Sequence, residues 1–336
     1  MRLNLAPKHR IEILAIVLIV ILVAGSLYYF WPKNQDSLLI GTNPAVSISA
    51  NIIASKKDLY GGLHHELKYF ASGPLNLEAL LARSVDSASI GDLPTLTALA
   101  RGTPVKIVAV YAYGGARWAI VARNNSGIAT PIDLGGKKVG VETNSGGDRF
   151  LLAVCRKFGI DVSQIERVNL KPTEQVTALQ LGQIDACSTF EPYPTLIQNQ
   201  GTGYIVVTGE NIIQGHGFIL VRNETIARNP QALTEFVKGI VRASQYIYEK
   251  PEECAEIIAE YFKMNIEDIK LSMNKTIYNP YITDEAVQDL QETAQFLYDN
   301  GVISEIPQIE QYIDRSFCEK AKNDIGWIPP DKPPFS

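Results

Sequence analysis

Four short stretches combine small, hydroxylated and turn-forming residues in a way suited to holding an anion. They are Thr42-Asn43-Pro44, Ser72-Gly73-Pro74, Gly91-Asp92-Leu93-Pro94 and Asn144-Ser145-Gly146-Gly147. Each follows an apolar run that reads as a strand and precedes a run that reads as a helix. Free N–H groups and the positive end of the dipole gather at helix N-termini. Several such ends aimed at one cleft can hold a negative group without any Lys or Arg. Ser and Thr hydroxyls add donors. Taken singly, each turn is an ordinary helix cap; their recurrence at strand ends points to a ligand cleft. A further junction, Phe190-Glu191-Pro192-Tyr193, sets a carboxylate among aromatics. Two readings are open there. An acid suits a helix start and Pro its first turn. Alternatively, the side chains wall a cleft just past the carboxyl end of a strand. Asp92 carries the same ambiguity between ligand acid and helix cap.

The elements that must position these turns are legible as alternating apolar runs. Leu38–Thr42 (LLIGT) reads as a buried strand and 46–55 as a helix. Further strands are expected near 67–70, 88–90, 105–111 and 118–122, with helices at 75–82 and 95–100. The pattern restarts after Asn124. Strands are expected at 138–141, 168–170, 185–189, 204–208 and 218–221, with helices reaching Phe158 and over 173–181 and 193–199. Helices then dominate, at 230–249, 251–262, 266–275 and 283–300, before the irregular WIPPDKPPFS. Alternating βα units imply parallel sheets covered by helices. Two similar series imply two α/β lobes with a cleft between them, the C-terminal helices returning to the first.

The chain has 336 residues, 46% of them hydrophobic, and a net charge of -5. This suits one or two globular domains and offers no basic face for nucleic acid. The stretch 13–31 carries no charged side chain and follows Lys8, His9 and Arg10. Such a stretch can cross a bilayer, and its basic flank sends the C-terminal bulk outside. LVAGS resembles a lipoprotein signal box with Ser26 where the lipid-bearing Cys would stand. The reading is a cytoplasmic stub over 1–12 and an uncleaved anchor over 13–31, in preference to a cleaved signal. Cys155, Cys187, Cys254 and Cys318 lie far apart without a CxxC, so no zinc site is expected and their pairing is open. GxSxG, HExxH and P-loop patterns are absent, and no cofactor is expected.

The run from Leu38 to about Ala321 resembles the substrate-binding proteins of ABC importers, in the aliphatic sulfonate, taurine and nitrate group with its thiamine-precursor relatives. The carrying segments are ASGPLNLEALLA, IGDLPTLTALARGTPVKIVAVY, WAIVAR, IDLGGKKVGVETNSGG, LQLGQIDACSTFEPYP and FLYDNGVI. The resemblance implies an α/β two-lobe periplasmic-binding-protein fold of type II behind an N-terminal transmembrane helix. Lobe 1 would comprise 37–122 plus 215–336 and lobe 2 123–214, with hinges near 121–124 and 214–217. It implies a monomeric, extracytoplasmic binding component rather than an enzyme. This would deliver a small anionic or zwitterionic ligand to a membrane permease with ATPase subunits. Taurine or an alkanesulfonate is the first expectation; nitrate, bicarbonate and thiamine or riboflavin precursors are alternatives. Carried over, the ligand loops fall on Asn43, Pro44, Ser72, Gly73, Pro74, Gly91, Asp92, Leu93, Asn144, Ser145, Gly146, Phe190 and Glu191, with His216 facing the cleft. Glu191 would accept an ammonium, and Phe190, Tyr193 or Trp118 would shield the aliphatic part. Some enzymes share this architecture, but the cysteine-rich run of the pyrimidine-precursor synthases has no counterpart. A tethered sensor acting through a recruited partner is a third reading.

Overall fold

The computed structural model describes residues 37–336. The stretch 13–31, read above as an anchor, lies outside the described residues. Among the described ones, no helix is long and apolar enough to cross a membrane.

The strands are β1 (Ser37–Thr42), β2 (His64–Tyr69), β3 (Ser87–Gly91), β4 (Val105–Ala112), β5 (Trp118–Arg123), β6 (Lys138–Val141), β7 (Glu166–Asn169), β8 (Ala186–Phe190), β9 (Gly203–Thr208) and β10 (Gly217–Arg222). They form two five-stranded sheets, ordered β2-β1-β3-β10-β4 and β7-β6-β8-β5-β9. The two orders correspond strand for strand. In each, three parallel strands are followed by one that runs antiparallel to its neighbours. Strands buried on both faces read as near-continuous apolar runs. That is why β4, with only Lys106 less than buried, stands out in the sequence.

Helices α1 (Ser49–Lys56), α2 (Gly73–Leu81) and α3 (Asp92–Ala100) follow β1, β2 and β3. Helices α4 (Gly146–Phe158), α5 (Pro172–Gln180) and α6 (Tyr193–Asn199) follow β6, β7 and β8. After β10 come α7 (Asn223–Arg228), α8 (Pro230–Glu249), α9 (Pro251–Phe262), α10 (Ile266–Met273), α11 (Asp284–Asp299) and α12 (Ser316–Ile325). Leu233, Phe236, Val237, Ile240, Val241 and Ile247 form a buried stripe along α8, at the spacing of one helix face. This face packs on α1 and α12, so the C-terminal helices join the core of the first sheet. The second sheet carries separate apolar clusters.

Several expectations shift. The helix expected over 46–55 opens with a 3-10 turn, Val46–Ile48. β2 begins at His64, earlier than its apolar end suggests, because this edge strand is largely polar. His64 is exposed, and His65 meets the Ser55 hydroxyl at 2.8 Å. The strand expected at 118–122 falls in the first lobe by the boundary at 122, but β5 pairs wholly within the second sheet. The chain therefore crosses between sheets at 113–117 and returns at 214–216, earlier than the expected hinge at 121–124. The Gly114 N–H donates to the Gln214 carbonyl at 2.9 Å, tying the two crossings together. Helices α7 and α12 are additions; α7 buries only Thr225 and so shows no apolar period, whereas α12 buries Phe317, Cys318 and Ala321 along one face. All four cysteines are buried and unpaired.

Candidate ligand pocket

Where the strand ends of the two sheets face each other, the chain encloses a small pocket of about 30 Å³. Its wall is built from Asn43, Ala45 and Ser47 after β1, Gly73 and Pro74 at α2, and Gly91 and Pro94 at α3. Tyr111 from β4, Arg117 and Trp118 at the crossing, Glu142 after β6, Ser145 and Gly146 at α4, and Phe190 at the end of β8 complete it. Three helices of eight or more residues thus start at this wall, with their unpaired N–H groups and positive dipole ends. The Ser145 hydroxyl caps α4, accepting from the N–H groups of Gly147 and Asp148 at 3.1 and 3.3 Å. Asn43 Nδ2 donates to the Ser89 carbonyl at 3.0 Å, which fixes the turn after β1.

Arg117 supplies a cation that was not anticipated. It is 3% exposed. Its Nη1 donates to the Ser47 hydroxyl at 3.1 Å and its Nη2 to the Gly215 carbonyl. Burial pulls its pKa down, while Tyr111 and Asp92 act to keep it charged. The guanidinium lies over the Trp118 ring at 4.8 Å, a cation–π arrangement. Trp118 in turn meets Phe190 edge-on at 5.4 Å, and Phe190 meets Tyr193 at 5.8 Å. The indole is seated by two glycines. A Cβ on Gly146 would fall 2.2 Å from its Cη2, and one on Gly215 2.4 Å from its Nε1. Two buried donors of this wall, Arg117 Nε and Trp118 Nε1, meet no acceptor among the described residues.

Half of the expected ligand residues line the pocket: Asn43, Gly73, Pro74, Gly91, Ser145, Gly146 and Phe190. Pro44, Ser72, Asp92, Leu93, Asn144, Glu191 and His216 are not on its wall. Ser72 stands just behind it, caps α2 without a side-chain bond, and faces Glu142. Asp92 Oδ1 accepts from the Leu93 N–H at 2.8 Å, and its Oδ2 lies 3.1 Å from Arg149 Nε. Asn144 is an exposed residue in a left-handed turn. His216 Nδ1 is 2.7 Å from Asp289 Oδ2, and its ring stacks on Tyr113. Glu191 takes Lys275 and the Ser272 hydroxyl, and its Oε2 accepts from the Thr195 N–H at 3.4 Å. That last bond is the helix-start role; the expected ammonium contact of Glu191 is replaced by Lys275.

The acid that does reach the wall is Glu142, 8% exposed. Burial pushes its carboxyl up to about 6, against the Ser72 hydroxyl and Lys171. A larger cavity of about 960 Å³ opens elsewhere between the halves, against the crossings and α11. It is walled by side chains such as Arg156, Lys157 and Glu292 and lacks converging helix N-termini.

Two sheets of matched order, joined by paired crossings and closing strand ends onto a buried polar pocket, define the two-lobe α/β architecture of periplasmic binding proteins. The chain belongs to the NMT1-like family, whose model matches residues 32–262. It is 28% identical over 297 residues to a putative aliphatic sulfonates-binding protein of Bacillus subtilis, covering 86% of this chain and 89% of that one. It is 25% identical over 268 residues to the taurine-binding periplasmic protein of Escherichia coli, covering 74% and 82%. Among solved structures it resembles the alkanesulfonate-binding protein SsuA from Xanthomonas axonopodis bound to MOPS. That match has a TM-score of 0.77 and 20% identity and covers 84% of this chain and 99% of the other.

Proposed function

We propose that this chain is the extracytoplasmic substrate-binding component of an ABC importer, capturing a small organic anion or zwitterion and delivering it to a membrane permease. The carrying observation is the pair of unsatisfied buried donors, Arg117 Nε and Trp118 Nε1, in a wall shared with three helix N-termini. Buried polar groups are rarely left unpaired, so this wall suits a ligand rich in acceptors. A sulfonate offers three acceptor oxygens, and the Trp118 and Phe190 rings suit a short aliphatic chain beside it. Relatives named for sulfonates and taurine support an alkanesulfonate or taurine over nitrate, bicarbonate or a vitamin precursor. The same names support a binding protein rather than an enzyme. At about 30 Å³ the pocket has room for little more than water, so in this reading the halves part about the crossings to take the ligand. In this reading 37–117 with 214–336 forms one lobe and 118–213 the other, and the chain acts as a monomer held at the outer membrane face by 13–31.

A thermal-shift screen of the full chain tests this. The panel is taurine, short alkanesulfonates, nitrate, bicarbonate and thiamine precursors. A ligand at a hundred times its dissociation constant stabilises by about 2.7 kcal/mol. The expected result is a clear shift with a sulfonate, lost in Arg117→Met. A shift from no panel member would overturn the reading.

A further inference from the structure

We infer that Glu142 is the specificity residue of this pocket and that it selects ligands carrying an ammonium group at the end away from the anion. This rests on the sulfonate reading above and extends it. Glu142 and Arg117 both line the pocket, yet they do not act on each other. Arg117 is held by Tyr111, Asp92 and Ser47, whereas Glu142 is faced by Ser72, Lys171, Glu174 and Tyr193.

Topology explains the separation. Glu142 follows β6 and Arg117 precedes β5, and β8 lies between those strands. Two strand spacings are about 10 Å. The pocket therefore has a basic pole, made by Arg117 and the helix starts, and a separate acidic pole. Arg117 offers Glu142 no neutralising contact, and the Ser72 hydroxyl and Lys171 offset the cost of its burial only in part. A short zwitterion answers both poles at once. Its anion takes the free donors of Arg117 and Trp118, and its ammonium takes Glu142. A ligand with an anion alone would bring negative charge toward a carboxylate it cannot satisfy.

Protonation supports the same reading. With its carboxyl raised to about 6, Glu142 is charged at pH 7.5 and neutral at pH 5. Lys171 opposes the rise and Glu174 adds to it.

The test is calorimetric titration of the full chain with taurine and with ethanesulfonate, which lacks only the ammonium. At pH 7.5 taurine is expected to bind about 30-fold more tightly, the lower end of what a buried charge pair contributes. Glu142→Gln is expected to reverse the order, weakening taurine and strengthening ethanesulfonate, and Glu142→Asp to retain part of the preference. Taurine affinity is expected to fall about tenfold between pH 7 and pH 5, while ethanesulfonate affinity does not fall. Equal affinities with a ratio unmoved by Glu142→Gln would overturn the inference and leave the sulfonate site standing. Binding of neither probe, with the variants folded by circular dichroism, would overturn the sulfonate reading and this inference with it.

Discussion

Glu191 Oε1 accepts from Lys275 Nζ at 2.5 Å and its Oε2 from the Ser272 hydroxyl at 2.9 Å, so a carboxylate at the end of β8 is bound by the α10 region. The Glu191 side chain is 2% exposed and that of Lys275 26%. Nearby, the Val46 N–H reaches the Glu191 carbonyl at 3.4 Å, and Asn199 Nδ2 donates to Asp268 at 2.5 Å. The junction therefore does two things: Phe190 lines the pocket, while Glu191 is a clasp between the two halves. Removing one partner of a fully buried pair costs about 3–5 kcal/mol. Lys275→Met is expected to cost less, about 2–3 kcal/mol in urea denaturation, because the lysine is partly solvated. Ligand affinity should fall with it, since the clasp holds the closed arrangement.

Asp92 and Arg149 form a second, deeper clasp. The ion pair joins α3 to α4, and Arg149 Nη2 also donates to the Thr293 hydroxyl of α11 at 2.6 Å. Burial raises the Asp92 pKa, with Arg149 opposing the rise. A carboxyl whose folded pKa lies above its unfolded value destabilises the fold as pH rises through that window. Arg149→Met takes away the opposing charge. Its cost is expected to reach about 3–5 kcal/mol at pH 8 and to be smaller at pH 5, where Asp92 gains a proton more readily. A cost equal at both values would show that the arginine matters through packing alone.

Gly146→Ala places a methyl where the Trp118 ring lies. Overpacking of this kind costs about 1–3 kcal/mol if the ring stays. Both residues belong to the same half, 118–213, so parting the halves gives no relief, and the ring must tilt out of its seat in the pocket wall. The expected outcome is a lower urea midpoint and a weakened ligand response, with little change in far-ultraviolet dichroism.

Glu142→Gln is expected to stabilise the ligand-free protein. The carboxyl is raised from 4.5 to about 6, so the folded state holds a proton that the unfolded state has released between those values. The penalty is absent below 4.5, grows through the window and is complete above 6. It amounts to about 2 kcal/mol at pH 7.5. Thermal melts at pH 4 and pH 7.5 check this: the variant should gain a few degrees only at the higher value.

The turns that line the pocket were legible because their signals are local. Gly73, Pro74, Gly91, Ser145 and Gly146 each stand between a strand run and a helix run, and that placement alone puts them at a strand's carboxyl end. Arg117 was not legible. It lies in AYGGARW, which has no period, and its burial depends on a crossing that passes between two sheets. Glu142 carried a usable signal, an acid directly after the β6 run and three residues before the Ser145 cap, but the turn beyond it drew the reading. His216 lies at the return crossing but off the pocket wall. Its partner Asp289 lies on α11, far along the chain, and no local pattern links them. The boundary at 122 failed for a related reason: an apolar strand does not disclose which sheet it will join.

The crossings also set an order of assembly. β4 has a single neighbour in its sheet, β10, which is made only after the whole of 118–213. The second sheet draws all its strands from the continuous run between β5 and β9. As the chain emerges from its N-terminus, the half that appears later is the first whose hydrogen-bonding can be completed. The earlier half waits with β3 and β4 exposed at their edges, a state open to wrong pairing. A stall or truncation before residue 217 would leave one finished lobe attached to an unfinished one.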